Sequence, residues 1–302
     1  MKTLDLTAFT TAVKEEQLAV RGMRVYQNGA LVASYQPEPE QRQNQYSGTK
    51  SFTSTACAFA IQEGLFSLDD AVLEHFAADA PAEPSENLKK MKLRHLITMS
   101  MGFENPMLMG AMRPKMVEKD WVKFVLNAKV VHEPGTVFQY NNAGPYLLGI
   151  LIQRKTGMSL VEYLMPRLFE PLGIERPECE KDPLGNTFGA GGLQLNVSEF
   201  AKLGLLYLQK GQWNGRQLIP EQWVAEAGSA QILSDQGDDE IGRHYGYLFW
   251  TMPDGAFRAD GKYGQYCIVL PKKNAVVALN SMQIEDEKKV LRAAVRTVLP
   301  LL

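Results

Sequence analysis

Residues 46–70 read YSGTKSFTSTACAFAIQEGLFSLDD, and the fold turns on the run after Lys50. From Ser47 to Glu63 the side chains are mostly small or apolar (Phe52, Ala56, Cys57, Phe59, Ala60), and no charge intervenes between Lys50 and Glu63. This predicts a helix ended by Gly64. A helix without a polar face has to be covered all round, so it is expected between two layers.

Working outward, a polar loop (PEPEQRQNQY, 37–46) precedes this helix, and MRVYQNGALVASYQ (23–36) centres a hairpin signal on Asn28-Gly29. A first helix is expected over about residues 5–20, with Thr7 as its cap. Downstream, Gly and Pro punctuate helical segments at 68–76, 88–100, 117–128, 145–157 and 160–173, followed by two more at 197–211 and 219–230. The chain then turns strand-like at 244–252, 256–261, 263–271 and 274–282, and ends in a helix at 286–299. Strands at both ends with helices between predict an α+β fold. Its antiparallel sheet is built from both chain ends and flanked by helices, with an inserted helical lobe. The expected division is a discontinuous sheet domain, 1–67 and 182–302, and a helical lobe, 68–181.

The 302 residues carry 32 basic and 34 acidic side chains, a formal net charge of -2. No basic footprint exists for phosphate backbones or anionic membrane surfaces, so nucleic acid is not expected as a partner. Cys57, Cys179 and Cys267 are far apart and odd in number, which argues against a disulfide framework or a zinc site. His75, His95, His132 and His244 are scattered without metal-ligand spacing and read as surface or cap residues. The first twenty residues contain no apolar core of a leader, and no run of 18 apolar residues occurs, so a cytoplasmic location without a membrane span is expected. Asp235, Asp238, Asp239 and Glu240 read as a solvated loop. Met99, Met101, Met107, Met109, Met112 and Met116 suit either core filling or an adaptable cleft wall.

Three short motifs carry chemistry. Ser47-Gly48-Thr49-Lys50 is a Ser-x-x-Lys pattern at a loop-to-helix junction, which sets hydroxyl and amine on neighbouring positions of one turn. A lone ammonium against so apolar a helix is desolvated, which lowers its pKa and makes it a base. Tyr140-Asn141-Asn142 lies in a loop before a helix, where a phenol can face a cleft. Lys262-Tyr263-Gly264 begins a strand-like run whose edge could offer a backbone N–H to an oxyanion. Lys155-Thr156-Gly157 matches a related pattern but reads as a helix C-terminus, and Tyr26-Gln27-Asn28 belongs to the hairpin.

The order of these motifs, with LRHLITMSMGF (93–103), FQYNNAGPYLLGILI (138–152), GAGGLQLNVSEFAKLGLLYLQKGQW (189–213) and DGKYGQYCIVLP (260–271), resembles the class C β-lactamase, penicillin-binding protein and serine esterase family over about residues 20–300. The resemblance implies a serine hydrolase that works through an acyl-enzyme, without metal or organic cofactor. Ser47 is then the nucleophile, and Lys50 and Tyr140 handle its proton. Asn142 holds the acyl side chain, the N–H groups of Ser47 and Gln265 form the oxyanion hole, and Lys262 keeps the field positive. In β-lactamases the middle residue of the third motif is usually Thr or Ser, which helps hold a substrate carboxylate; here it is Tyr263. That departure, and the missing leader, favour a small ester or amide over the alternatives of a β-lactam or a D-Ala-D-Ala peptide. A non-catalytic binding relative is the reading from another class, disfavoured by the intact Ser47, Lys50 and Tyr140.

Overall fold

The computed structural model describes residues 4–302 and is built around an eight-stranded sheet. Its strands are β1 Val20–Gln27, β2 Ala30–Tyr35, β3 Ile232–Asp238, β4 Gly242–Tyr245, β5 Trp250–Thr251, β6 Phe257–Gly261, β7 Gln265–Leu270 and β8 Ala275–Ser281. The order across the sheet is β2-β1-β8-β7-β6-β5-β4-β3, with every pairing antiparallel. Both chain ends build it: β1 lies against β8, with Val25 opposite Val277. The turn from β1 to β2 is the Asn28-Gly29 pair, both at positive φ (51° and 78°), as a tight hairpin requires.

Five helices position the rest: α1 Thr7–Glu15, α2 Thr49–Gln62, α3 Ala143–Thr156, α4 Val197–Leu208 and α5 Lys288–Thr297. β7 and β8 are buried along their whole length, and the two-residue period of β8 sends alternate side chains to different cores. Val277 and Leu279 join Phe9 of α1 and Val290, Leu291 and Ala294 of α5. Val276 and Ala278 join Phe200, Ala201 and Leu203 of α4 in a second core that continues through α2 and α3 to Val72, Leu96 and Trp121. Gly204 lets α4 lie close on the sheet, for a Cβ there would stand 2.6 Å from Cys267 Sγ.

Buried from Thr49 through Ala60, α2 occupies the interior position its charge-free sequence demands. Phe52 sits between Phe169 and Phe200, with ring centroids 5.9 and 6.3 Å away.

Several boundaries differ from the sequence reading. Asp5, not Thr7, supplies the side-chain acceptor at the start of α1, taking the Thr7 N–H at 2.9 Å. The acidic run 235–240 is not a free loop: residues up to Asp238 form β3, and Asp238 and Glu240 both pair with Arg292 of α5. Residues 244–252 break into β4 and β5 around Leu248 at φ 60°. Lys262–Gly264 does not begin a strand either; it is the turn between β6 and β7, with Tyr263 at φ 66° and Gly264 at φ 90°. Among the described residues no helix is long and apolar enough to cross a membrane.

Candidate active site

Ser47 lies in a single helical turn, Tyr46–Gly48, just before α2, and Tyr46 is held at φ 46° with its N–H bound to Asn44 Oδ1 at 2.6 Å. Non-glycine residues rarely adopt that conformation, so the chain is bent sharply where it presents the Ser47 hydroxyl. One turn on, Lys50 is 1% exposed. Its Nζ stands 2.8 Å from Ser47 Oγ, 2.7 Å from Asn142 Oδ1 and 2.7 Å from the Ala190 carbonyl. Two of these three partners can only accept, whereas the hydroxyl can also donate. An ammonium meets all three partners as a donor; a neutral amine fits the same distances, giving its two N–H groups to Asn142 and Ala190 and accepting from a Ser47 hydroxyl turned toward it. Burial is the main force holding the Lys50 pKa well below 10.5, the Arg113 charge pushes it the same way, and Asp260 opposes them.

Tyr140 enters from the loop before α3. Its ring stacks on Trp250 at 5.8 Å between centroids and stands 5.1 Å from Lys50 Nζ. Burial raises its pKa, the Ser47 side chain acts to lower it, and Asp260 and Glu287 raise it again. Against the positive field expected of Lys262, the charges that bear on the phenol are carboxylates. Asn142 is committed to structure: besides accepting from Lys50, it donates Nδ2–H to the Leu108 carbonyl at 2.8 Å and its backbone N–H to the Met107 carbonyl. The cap of α3 falls to Asn141, whose Oδ1 takes the Ala143 N–H at 2.9 Å.

The third wall is β6. It pairs with β5 only through Phe257 and Arg258, because β5 begins at Trp250, so the edge from Ala259 to Gly261 is open. That edge runs beside the Ser47 turn: a Cβ on Gly261 would stand 2.2 Å from the Gln45 carbonyl oxygen and 3.1 Å from the Gly48 nitrogen. Asp260 and Lys262 line the resulting cleft of about 490 Å³ together with Ser47, Tyr140, Asn142, Arg113 and Trp250. Gln265, the expected oxyanion donor, lies one strand further in. It pairs with Gly261, is fully buried, and its side chain is occupied by Ser281 and Gln43. Tyr263 does not line the cleft; its ring meets Tyr46 edge-on at 5.0 Å, and its N–H goes to Glu287. The turn moved both of them: letters that suit a strand edge sit where the chain reverses.

The sequence profile of the family described as Beta-lactamase matches residues 9–298. The chain belongs to that family. Among its relatives, the 6-aminohexanoate-dimer hydrolase of Paenarthrobacter ureafaciens is 29% identical over 148 residues, 46% of this chain and 38% of that one. The chain thus spans well under half the length of that relative. Among solved structures, the octameric penicillin-binding protein homologue from Pyrococcus abyssi superposes with a TM-score of 0.77 at 23% identity, covering 97% of this chain and 77% of that one. EstCE1, described as a hydrolase with promiscuous acyltransferase activity, gives 0.76 at 14% identity, covering 95% and 96%.

Within this Beta-lactamase family member, sequence reasoning missed Arg113 and Asp260. Arg113 lies on the irregular loop carrying the methionines; its guanidinium stacks on Phe188 at 4.1 Å and pairs with Glu180 at 2.6 Å. Of the methionines, Met99, Met101 and Met107 are core and Met109 lines the cleft. Gly264 signals the turn that follows Asp260, but the open edge comes from the shortness of β5, which no residue near Asp260 announces. The three groups Asp70, Glu74 and His75 come within 4.8 Å of one another outside the cleft, where His75 Nε2 meets Asp70 at 3.0 Å.

Proposed function

We propose that the protein is a serine hydrolase that cleaves a small ester or amide through an acyl-enzyme. The observation that carries this reading is the buried Lys50 amine, 2.8 Å from Ser47 Oγ and otherwise bonded to two pure acceptors. Ser47 Oγ attacks the carbonyl carbon while its proton passes to Lys50 Nζ, and the carbonyl oxygen gains the negative charge. The N–H groups of Ser47 and Lys262 stabilise that oxygen. Among the described residues neither is bonded to another protein group, and Gly261 holds the two segments in contact. As the bond to the leaving group breaks, Tyr140 gives that group a proton and regains one from the Lys50 ammonium. Water then attacks the acyl-Ser47 ester with its proton taken by the same amine, releasing the acid and restoring the hydroxyl.

A raised phenol pKa suits this division of labour. A Tyr140 that keeps its proton at neutral pH is a donor to the leaving group, and the base is Lys50. The activities for which the dimer hydrolase and EstCE1 are named support ester or amide substrates. The test is labelling by a fluorophosphonate and turnover of p-nitrophenyl butyrate. Both are expected in the native protein and absent in Ser47→Ala; equal labelling of the two proteins would sink the proposal.

A further inference from the structure

We infer that Asp260 selects the charge of the leaving group, so that esters and amides expelling a cationic alcohol, thiol or amine are preferred and those expelling an anionic one are excluded. The inference rests on the acyl-transfer reading above, which places the leaving group at Tyr140.

Asn142, tied to the Met107–Leu108 loop, lines the cleft with Arg113. Tyr140 stacks on Trp250, which is the cross-strand partner of Arg258. The proton donor therefore stands at the open edge of β6, and a group departing toward it passes Asp260.

At that edge the residue between Ala259 and Gly261 is a carboxylate, 24% exposed, where a hydroxyl would welcome a substrate carboxylate. Arg258 meets Asp260 Oδ2 through Nε at 3.1 Å, but it is itself 3% exposed and gives Nη1 to the Ile241 carbonyl. The cation is therefore beneath and the anion on top. Asp260 Oδ1 has no protein partner among the described residues and remains for a ligand donor. Glu287, whose carboxylate takes the Tyr263 N–H, adds a second negative charge, and the charges bearing on the Tyr140 phenol are these two carboxylates. Lys262 and Lys288 are also at the rim; Lys262 lies over the Tyr263 ring at 4.9 Å, and Lys288 donates to the Gln236 carbonyl.

A quaternary or primary ammonium near the scissile bond can meet the free Asp260 Oδ1 directly, whereas a carboxylate there faces Asp260 and Glu287 at short range, a repulsion that Arg258 beneath and Lys262 and Lys288 at the rim offset only in part. The same arrangement disfavours β-lactams and peptide C-termini, whose leaving portions carry a carboxylate.

Three thioesters with one acyl group test this: butyrylthiocholine, S-ethyl thiobutyrate and S-butyryl-3-mercaptopropionate, with thiol release measured by a chromogenic disulfide. The expected kcat/KM order is cationic, neutral, anionic, with about tenfold or more between the extremes at low salt. In Asp260→Asn the ratio of cationic to anionic turnover falls toward one. Equal turnover of all three by the native protein, with Ser47→Ala inactive, overturns the inference and leaves the acyl-transfer reading standing. Loss of Ser47 dependence overturns both. If Asp260→Asn does not fold, the native ratio decides alone.

Discussion

Replacing Lys50 by methionine isolates the charge state on which the chemistry rests. The amine is 1% exposed and held well below its ordinary 10.5, chiefly by burial. Between its lowered folded value and 10.5 the unfolded chain binds a proton that the folded chain does not. Stability of the native protein therefore rises with pH through that window, by about 1.4 kcal/mol per unit. Below the folded value both states carry the proton and the contribution is flat. Methionine has no such term, and fills a similar volume. It also strands Asn142 Oδ1 and the Ala190 carbonyl, each worth about 1–3 kcal/mol, but that loss does not depend on pH. Urea unfolding of the two proteins at pH 7, 8 and 9 is the assay. The stability of the native protein minus that of Lys50→Met should climb from pH 7 to pH 9, by about 1.4 kcal/mol for each unit that lies inside that window. A difference that stays constant over that range means that Lys50 keeps its proton in the fold, and then it cannot be the base.

Tyr140→Phe is expected to lower kcat on an amide by about 100- to 10,000-fold, and far less on a p-nitrophenyl ester, whose leaving group departs without a proton; equal losses on both would remove the phenol from the leaving-group step. Gly261→Ala drives a methyl to 2.2 Å from the Gln45 carbonyl oxygen and separates β6 from the nucleophile. About 100-fold loss in kcat/KM with a folded circular-dichroism spectrum is expected. Arg113→Gln removes the cation that helps depress Lys50, so the acidic limb of the kcat/KM profile should move to higher pH; a limb that moves down or stays contradicts the assigned role. Asn142→Ala takes away both an acceptor for Lys50 and the tether of the Met107–Leu108 loop, and should reduce kcat while exposing that loop to protease.

The meeting of Ser47, Lys50 and Tyr140 was legible from short motifs: a charge-free run after Lys50 demands its burial one turn from Ser47, and Tyr140 stands in a loop just before a helix. The sheet from both ends was legible for a similar reason, since residues 265–281 read as nearly unbroken apolar runs. The third wall was not. Lys262, Tyr263 and Gly264 carry the letters of a strand edge, but two successive positive φ values turn the chain there, and no letter count reveals which of two adjacent strands faces outward. β3 escaped notice because Asp238 at its end and Glu240 just beyond it find Arg292, 54 and 52 residues later, rather than water alone. Arg113 escaped because an irregular loop has no period from which a direction can be read.

The pairing of β1 with β8 has a consequence for synthesis. A ribosome that has released the first two hundred residues has made the serine, the amine and the phenol, yet β1 still has one side without a neighbour and the cleft still lacks a wall. Until residue 281 emerges, that bare backbone edge is a template for pairing with other nascent chains. The last fifth of the polypeptide supplies at one moment both the closure of the sheet and the strand against which a bound acyl group would be held, so chemical competence should appear only with completed folding.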